Sequence, residues 1–190
     1  MTDYFALLDQ PRRPWLDLEK LQQAFHEKSR VAHPDAGGTE AAFAQVNEAY
    51  QILQEPKRRL QHLLALEGHS PTAAGHKIAD KVADLFQSVA GATQEAERVL
   101  QKFSHASNPL SRSLLQPDLK RAQSRVDEAL AALRHLQTSA ETELQALSKS
   151  ETGTMGEDRI HELQRLYALF SYLTRWIGEL EEKRVLLSSA

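Results

Sequence analysis

RVAHPDAGG, residues Arg30 to Gly38, breaks a chain that otherwise runs in helix-friendly amphipathic stretches. A histidine and an aspartate flank Pro34, and a glycine pair follows at Gly37 and Gly38. Pro34 disfavours helical geometry at His33 and fixes its own φ, while Asp35 can bond nearby backbone donors, so the stretch reads as a helix stop. A stop explains the bend. It does not explain the histidine, where any residue tolerant of extended backbone would serve, and loops between rigid helices are where binding groups are often displayed. On spacing alone both readings stand.

On the N-terminal side of the turn, Asp17 is placed to cap a helix in which Leu18, Leu21, Phe25 and Ala32 share one face until Pro34 ends it. On the other side, Thr39 can cap a helix whose Phe43, Val46, Tyr50 and Leu53 follow 3–4 spacing. The two should pair as an antiparallel hairpin with His33-Pro34-Asp35 in the connection. Before them, Tyr4 to Asp9 can form one short turn or helix closed by Pro11 and Pro14. After them, Glu55-Pro56 ends the third helix, and Pro56 suits the first turn of a fourth running through Arg58, Leu60, Leu63 and Leu64.

GHSPTAAGH, residues 68–76, has the small, polar, proline-and-glycine composition of a boundary. Beyond it Ile78, Val82, Leu85, Val89, Ala96, Val99, Leu100 and Phe103 mark a long amphipathic helix. Leu119, Ala122, Val126, Ala129, Leu133, Leu136, Ala140, Leu144 and Leu147 mark a second, with an almost strict heptad seam. A third, after SKSETGTMG, carries Leu163, Leu166, Phe170, Leu173, Ile177 and Leu180. Leu169, Tyr172 and Trp176 fall on the flank of its apolar arc. The expected fold is all-α: a helical hairpin unit over residues 1–67, a linker over 68–76, and an antiparallel three-helix bundle over 77–190. With two other amphipathic helices available, the heptad seam reads as packing within the chain, although a homodimer stays open.

Composition narrows the chemistry. At 190 residues the chain has room for two small helical units, and 41% hydrophobic with 26% charged residues is globular in type. No apolar run approaches the ~18 residues of a membrane span, and MTDYFALLDQ lacks the basic start of a secretory signal, so a cytoplasmic protein is expected. With no cysteine, disulfides, thiolate nucleophiles and cysteine-ligated zinc or iron–sulfur sites are excluded. A net charge of −3 without a concentrated basic face argues against nucleic acid. No cofactor or metal is expected.

His33 and Asp35 are residue types that can move protons or hold a metal, but nothing joins them: no nucleophile elbow, phosphate loop or HExxH accompanies the pair. A non-enzymatic role is the expectation.

The wider stretch YFALLDQPRR…LDLEKLQQAFHEKSRVAHPDAGGTEAAFAQVNEAYQIL resembles a J domain, the helical module that activates DnaK-type heat-shock chaperones. The resemblance covers Tyr4 to about Leu66, with Phe43 and Asn47-Glu48-Ala49-Tyr50 following the turn as expected. It implies that His33, Pro34 and Asp35, with Lys20, Lys28 and Arg30 on helix two, dock on the chaperone and promote its ATP hydrolysis. Gln22, His26 and Glu27 stand where general J domains carry more basic residues, so electrostatic steering should be reduced.

The layout from DYFALLD through LQHLLALEGHSP to LQRLYALFSYLTRWIGELEEKRVLL resembles the HscB family of iron–sulfur co-chaperones, in its bacterial form. HPDAGG departs from it, lacking the basic residue that commonly follows HPD. The resemblance implies an HscA- or DnaK-type chaperone partner and an IscU-like iron–sulfur scaffold bound by an apolar patch aligned with Leu85, Phe86, Val89 and Leu169. Leu85 and Val89 also fit the packed stripe of their helix, whereas Phe86 and Leu169 lie off the arc centre and are expected to be exposed. A general J protein whose bundle binds another client or mediates dimerisation is the alternative.

Overall fold

The computed structural model describes residues 1–71, 80–149 and 156–190, with the side chains of 80–82 and 84 also left aside. Among the described residues there is no strand, and none of the helices is long and apolar enough to cross a membrane. Seven α-helices follow in order: α1 (Tyr4–Leu7), α2 (Leu18–Ala32), α3 (Glu40–Gln54), α4 (Pro56–Leu66), α5 (Asp80–His105), α6 (Pro109–Lys149) and α7 (Glu157–Ser188). The all-α expectation holds, with a 3₁₀ turn at Pro34–Ala36 between α2 and α3.

The helix starts follow local chemistry. Helices begin with backbone N–H groups that have no partner inside the helix, and side-chain oxygens satisfy them. The Asp17 carboxylate accepts from the Glu19 and Lys20 amides, and the Thr39 hydroxyl accepts from Ala42. Asp3 does the same for Phe5 and Ala6 at α1. α4 has no side-chain cap and starts instead on Pro56, whose missing N–H removes one of those groups.

The chain divides into two compact units, Met1–His76 with Ala140–Phe170, and Lys77–Ser139 with Ser171–Ala190. In the first, α2 and α3 pack together as the expected hairpin, and α1 and α4 pack on α3. Phe5, Leu8, Leu16, Leu21, Val46, Ala49, Leu53, Leu60, Leu63 and Leu64 form the core of its N-terminal part. Leu18, expected on the buried face of α2, is exposed at the first position of the helix.

Three buried polar side chains, Arg59, His62 and Ser148, hold this unit together. Arg59, 2% exposed, donates from Nε to the Pro14 carbonyl at 2.8 Å and from Nη1 to the Leu53 carbonyl at 2.6 Å. Burial pushes its pKa down to about 10, with the Glu141 carboxylate opposing the shift. His62 accepts the Tyr4 N–H on Nε2 at 3.1 Å, and its ring stacks on Tyr4 and Phe5. Farther along the same unit, buried Ser148 accepts the Trp15 N–H at 2.9 Å and donates to the Leu144 carbonyl. A wholly apolar core would leave the Pro14, Leu53 and Tyr4 backbone groups without these partners.

The second unit is a three-helix arrangement whose directions are read from its cross-links. Lys102 pairs with Asp118 and Arg125 with Glu95, so α5 and α6 run antiparallel. Gln123 donates to the Leu187 carbonyl and Arg134 pairs with Glu181, so α6 and α7 are antiparallel too. Val89, Ala92, Ala96, Val99 and Phe103 of α5 and Leu119, Ala122, Val126, Ala129 and Leu133 of the heptad seam are buried as core. Ile78, counted with the α5 stripe, lies outside the described residues, as does the side chain of Val82. α6 starts ten residues before the seam, on Pro109, and continues through Pro117. The N–H missing at Pro117 leaves one carbonyl in the preceding turn unbonded, which costs less at exposed positions such as Ser113.

Candidate functional site: the turn between α2 and α3

Three constraints shape the turn. His33 leaves the helix in extended backbone, φ −65° and ψ 136°, as a residue before proline must. Its carbonyl then accepts the amides of Ala36 at 2.9 Å and Gly38 at 3.0 Å, while Pro34 accepts from Gly37 at 3.0 Å. Gly37 sits at φ 87°, where a side chain would be strained, and a Cβ on Gly38 would lie 2.1 Å from the Ala32 carbonyl oxygen. The glycine pair thus has two separate reasons: one residue reverses the chain and the other lets it pass against the end of α2.

On this backbone His33 and Asp35 are both exposed. His33 Nδ1 accepts the Asp35 amide at 3.2 Å and stands 3.6 Å from the Asp35 carboxylate, and the ring meets Phe43 of α3 edge-on with centroids 5.2 Å apart. With Nδ1 accepting, the neutral ring carries its proton on Nε2. His26, Ser29, Arg30, His33, Asp35 and Phe43 line a shallow depression beside the turn. Such a site offers an aromatic donor and a carboxylate on a backbone already held by three hydrogen bonds, so little ordering remains to be done when a partner arrives. Among the described residues no group of three or more histidine, aspartate and glutamate side chains is placed to hold a metal ion.

The α2 cations are placed unequally. Lys28 is paired with Asp9 at 2.6 Å, and Lys20 stands 4.0 Å from its own cap, Asp17. Arg30 lines the depression beside His33.

The four residues of the expected apolar patch differ in exposure. Phe86 is 55% exposed, its ring 5.8 Å from that of Trp176, which in turn lies 5.5 Å from Tyr172. Leu85 is half-buried and Val89, 3% exposed, belongs to the core. Leu169 belongs to the first unit and is 9% exposed, so the expectation that it stands free is corrected: it is buried with Ala168 and Phe170. Trp176, also placed on the flank of the arc, is 6% exposed, while Ile177 is only half-buried. The apolar arc of α7 is therefore centred closer to Leu169, Leu173, Trp176 and Leu180 than the sequence spacing indicated.

Sequence reasoning passed over Arg59, His62 and Asp9. Arg59 had a signal in helical phase, since it is four residues before Leu63 and shares its inward face. Asp9 had none, because its role depends on Lys28, nineteen positions away.

Residues 3–62 match the DnaJ domain family. The crystal structure of human co-chaperone protein HscB is similar in fold, with a TM-score of 0.51 and 17% identity over 97% of this chain and 83% of that one. Chaperone HscB from Vibrio cholerae is similar at a TM-score of 0.53 and 19% identity, over 95% of this chain and 96% of that one.

Proposed function

We propose, from the premise that residues 3–62 are a DnaJ domain in a chain with the HscB fold, that the protein is a non-catalytic co-chaperone working in iron–sulfur cluster assembly. Its J domain, taken as residues 1–67, stimulates the ATPase of a DnaK- or HscA-type chaperone through His33, Pro34 and Asp35, assisted by Lys20, Lys28 and Arg30. Residues 68–76 link it to a bundle, 77–190, that presents an IscU-like scaffold, with Phe86 as the exposed contact and Leu85 beside it. Joining chaperone and scaffold through one chain raises their effective concentration, and the turn couples arrival to ATP hydrolysis.

The observation that carries this reading is the exposed His33-Pro34-Asp35 turn, rigid by its own hydrogen bonds, at the tip of the α2–α3 hairpin. Asp35→Asn should leave helical content unchanged and remove stimulation of a purified chaperone's ATPase. Full stimulation by that variant would overturn the assignment.

The burial of Val89 and Leu169 favours keeping a second reading, a general J protein whose bundle serves another client or a second copy of itself. Titration with a purified scaffold separates the two: binding that weakens in Phe86→Ala supports the first, and no binding by the unmutated protein selects the second.

A further inference from the structure

Two helices of the first unit end in the same way, with one difference. At the end of α4, Gly68 takes φ 79°, its amide bonds to the Ala65 carbonyl, and the His69 amide reaches back to Leu64 at 2.9 Å. At the end of α1 the pattern recurs: the Asp9 amide bonds to Ala6, and the Gln10 amide reaches back to Phe5 at 2.8 Å. This closure places its central residue in the left-handed region, where glycine is relaxed and a side chain costs energy. Position 9 nevertheless holds an aspartate, at φ 51°, the sole non-glycine residue with positive φ among those described.

The side chain accepted at that backbone cost is engaged. Asp9 Oδ2 lies 2.6 Å from Lys28 Nζ on the neighbouring α2, with the carboxylate 70% and the lysine 40% exposed. Lys28 is one of three cations through which α2 would meet an acidic chaperone surface, and it is the one held most closely within the chain. Lys20 stands at 4.0 Å from Asp17, and Arg30 has no ion-pair partner among the described residues.

We propose that Asp9 is an intramolecular competitor for the chaperone: it occupies Lys28 and leaves docking by α2 to Lys20 and Arg30. The inference rests on the J-domain reading above and concerns how tightly and how selectively that site engages. Every docking event must either exchange the Asp9 carboxylate for one on the partner or proceed without Lys28. A chaperone surface whose acidic groups lie opposite Lys20 and Arg30 is then favoured over one that relies on Lys28. Exposed charges of this kind act mainly on the rate of association and its salt dependence.

Asp9→Asn tests this directly, because asparagine tolerates left-handed backbone and keeps the closure of α1 while removing the charge. With a purified DnaK-type chaperone at about 0.05 M salt, the concentration giving half-maximal ATPase stimulation should fall by roughly two- to fivefold, the scale of a rim-charge effect, with the maximum unchanged. The gain should shrink as salt rises to about 0.3 M, where the screening length is shorter. It should vanish when Lys28→Gln is already present. No gain, or a gain that persists without Lys28, overturns the proposal. Asp35→Asn, measured alongside, keeps the two claims apart. If it retains full stimulation the J-domain reading itself fails; if it abolishes stimulation while Asp9→Asn changes nothing, only the competition does.

Discussion

The turn at His33–Gly38 and the surface around Phe86 each expose side chains for a partner, and they hold them by different means. At the turn the constraint is backbone: three amide–carbonyl bonds, a proline and two glycines place His33 and Asp35 within a stretch of six residues. At Phe86 the constraint is packing between helices, because its ring lies against that of Trp176, ninety positions later. Local geometry can be rigid while wholly exposed, whereas an exposed apolar ring depends on what lies beneath it. Substitutions should therefore have opposite consequences in the two places: at the turn, backbone changes cost stability and side-chain changes cost function, while at the bundle the buried neighbours carry the stability.

The contrast is tested most strongly by exchanging an inward for an outward apolar residue. Leu169→Ala should destabilise by about 2–5 kcal/mol in urea unfolding, as a buried leucine does, whereas Phe86→Ala should stay within about 0.5 kcal/mol. Equal losses would show that Phe86 is core, and the bundle surface would lose its exposed contact. Next in size, Gly38→Ala drives a methyl group into the Ala32 carbonyl and should cost about 1–3 kcal/mol, read by the same unfolding curves. An unchanged midpoint would mean that the turn is not held by its backbone.

The smallest effect sets exposed His33 against buried His62. Burial pushes the His62 pKa down, with Asp3 opposing the shift and Arg12 adding to it. The unfolded chain then binds the proton more readily, so the contribution of neutral His62 is complete above the ordinary histidine value of about 6.5 and is lost as pH falls through the depressed folded value. The Tyr4 N–H bond to Nε2 breaks in the same interval, because a protonated Nε2 cannot accept. Thermal unfolding between about pH 7 and 5 should show stability declining with acid, and His62→Gln, which can still accept the Tyr4 amide, should flatten that part of the profile. A slope unaltered by the substitution would assign it to other groups.

Much of the first unit is legible in the amino-acid sequence. Asp17, Thr39 and Pro56 announce helix starts because capping is chemistry between residues two or three apart. Pro34 and the glycine pair announce the reversal for the same reason. The turn could be read as a binding element only with the surrounding hairpin pattern, since histidine and aspartate beside a proline are compatible with a plain stop. The long helices of the bundle were legible from their period, but not which residues at the edge of an apolar arc face inward: Leu169 and Trp176 went in while Phe86 stayed out.

By itself, then, the sequence determined the all-α class, the hairpin with its stop at His33–Gly38 and the three long helices, because each follows from interactions over a few residues or from a repeating period. Tertiary structure decided the burial of Arg59 and His62, the capture of Lys28 by Asp9, and the division of the Leu85–Leu169 patch into core and surface. Those outcomes depend on which side chains meet across distant segments, and a helical period specifies a face without specifying what covers it.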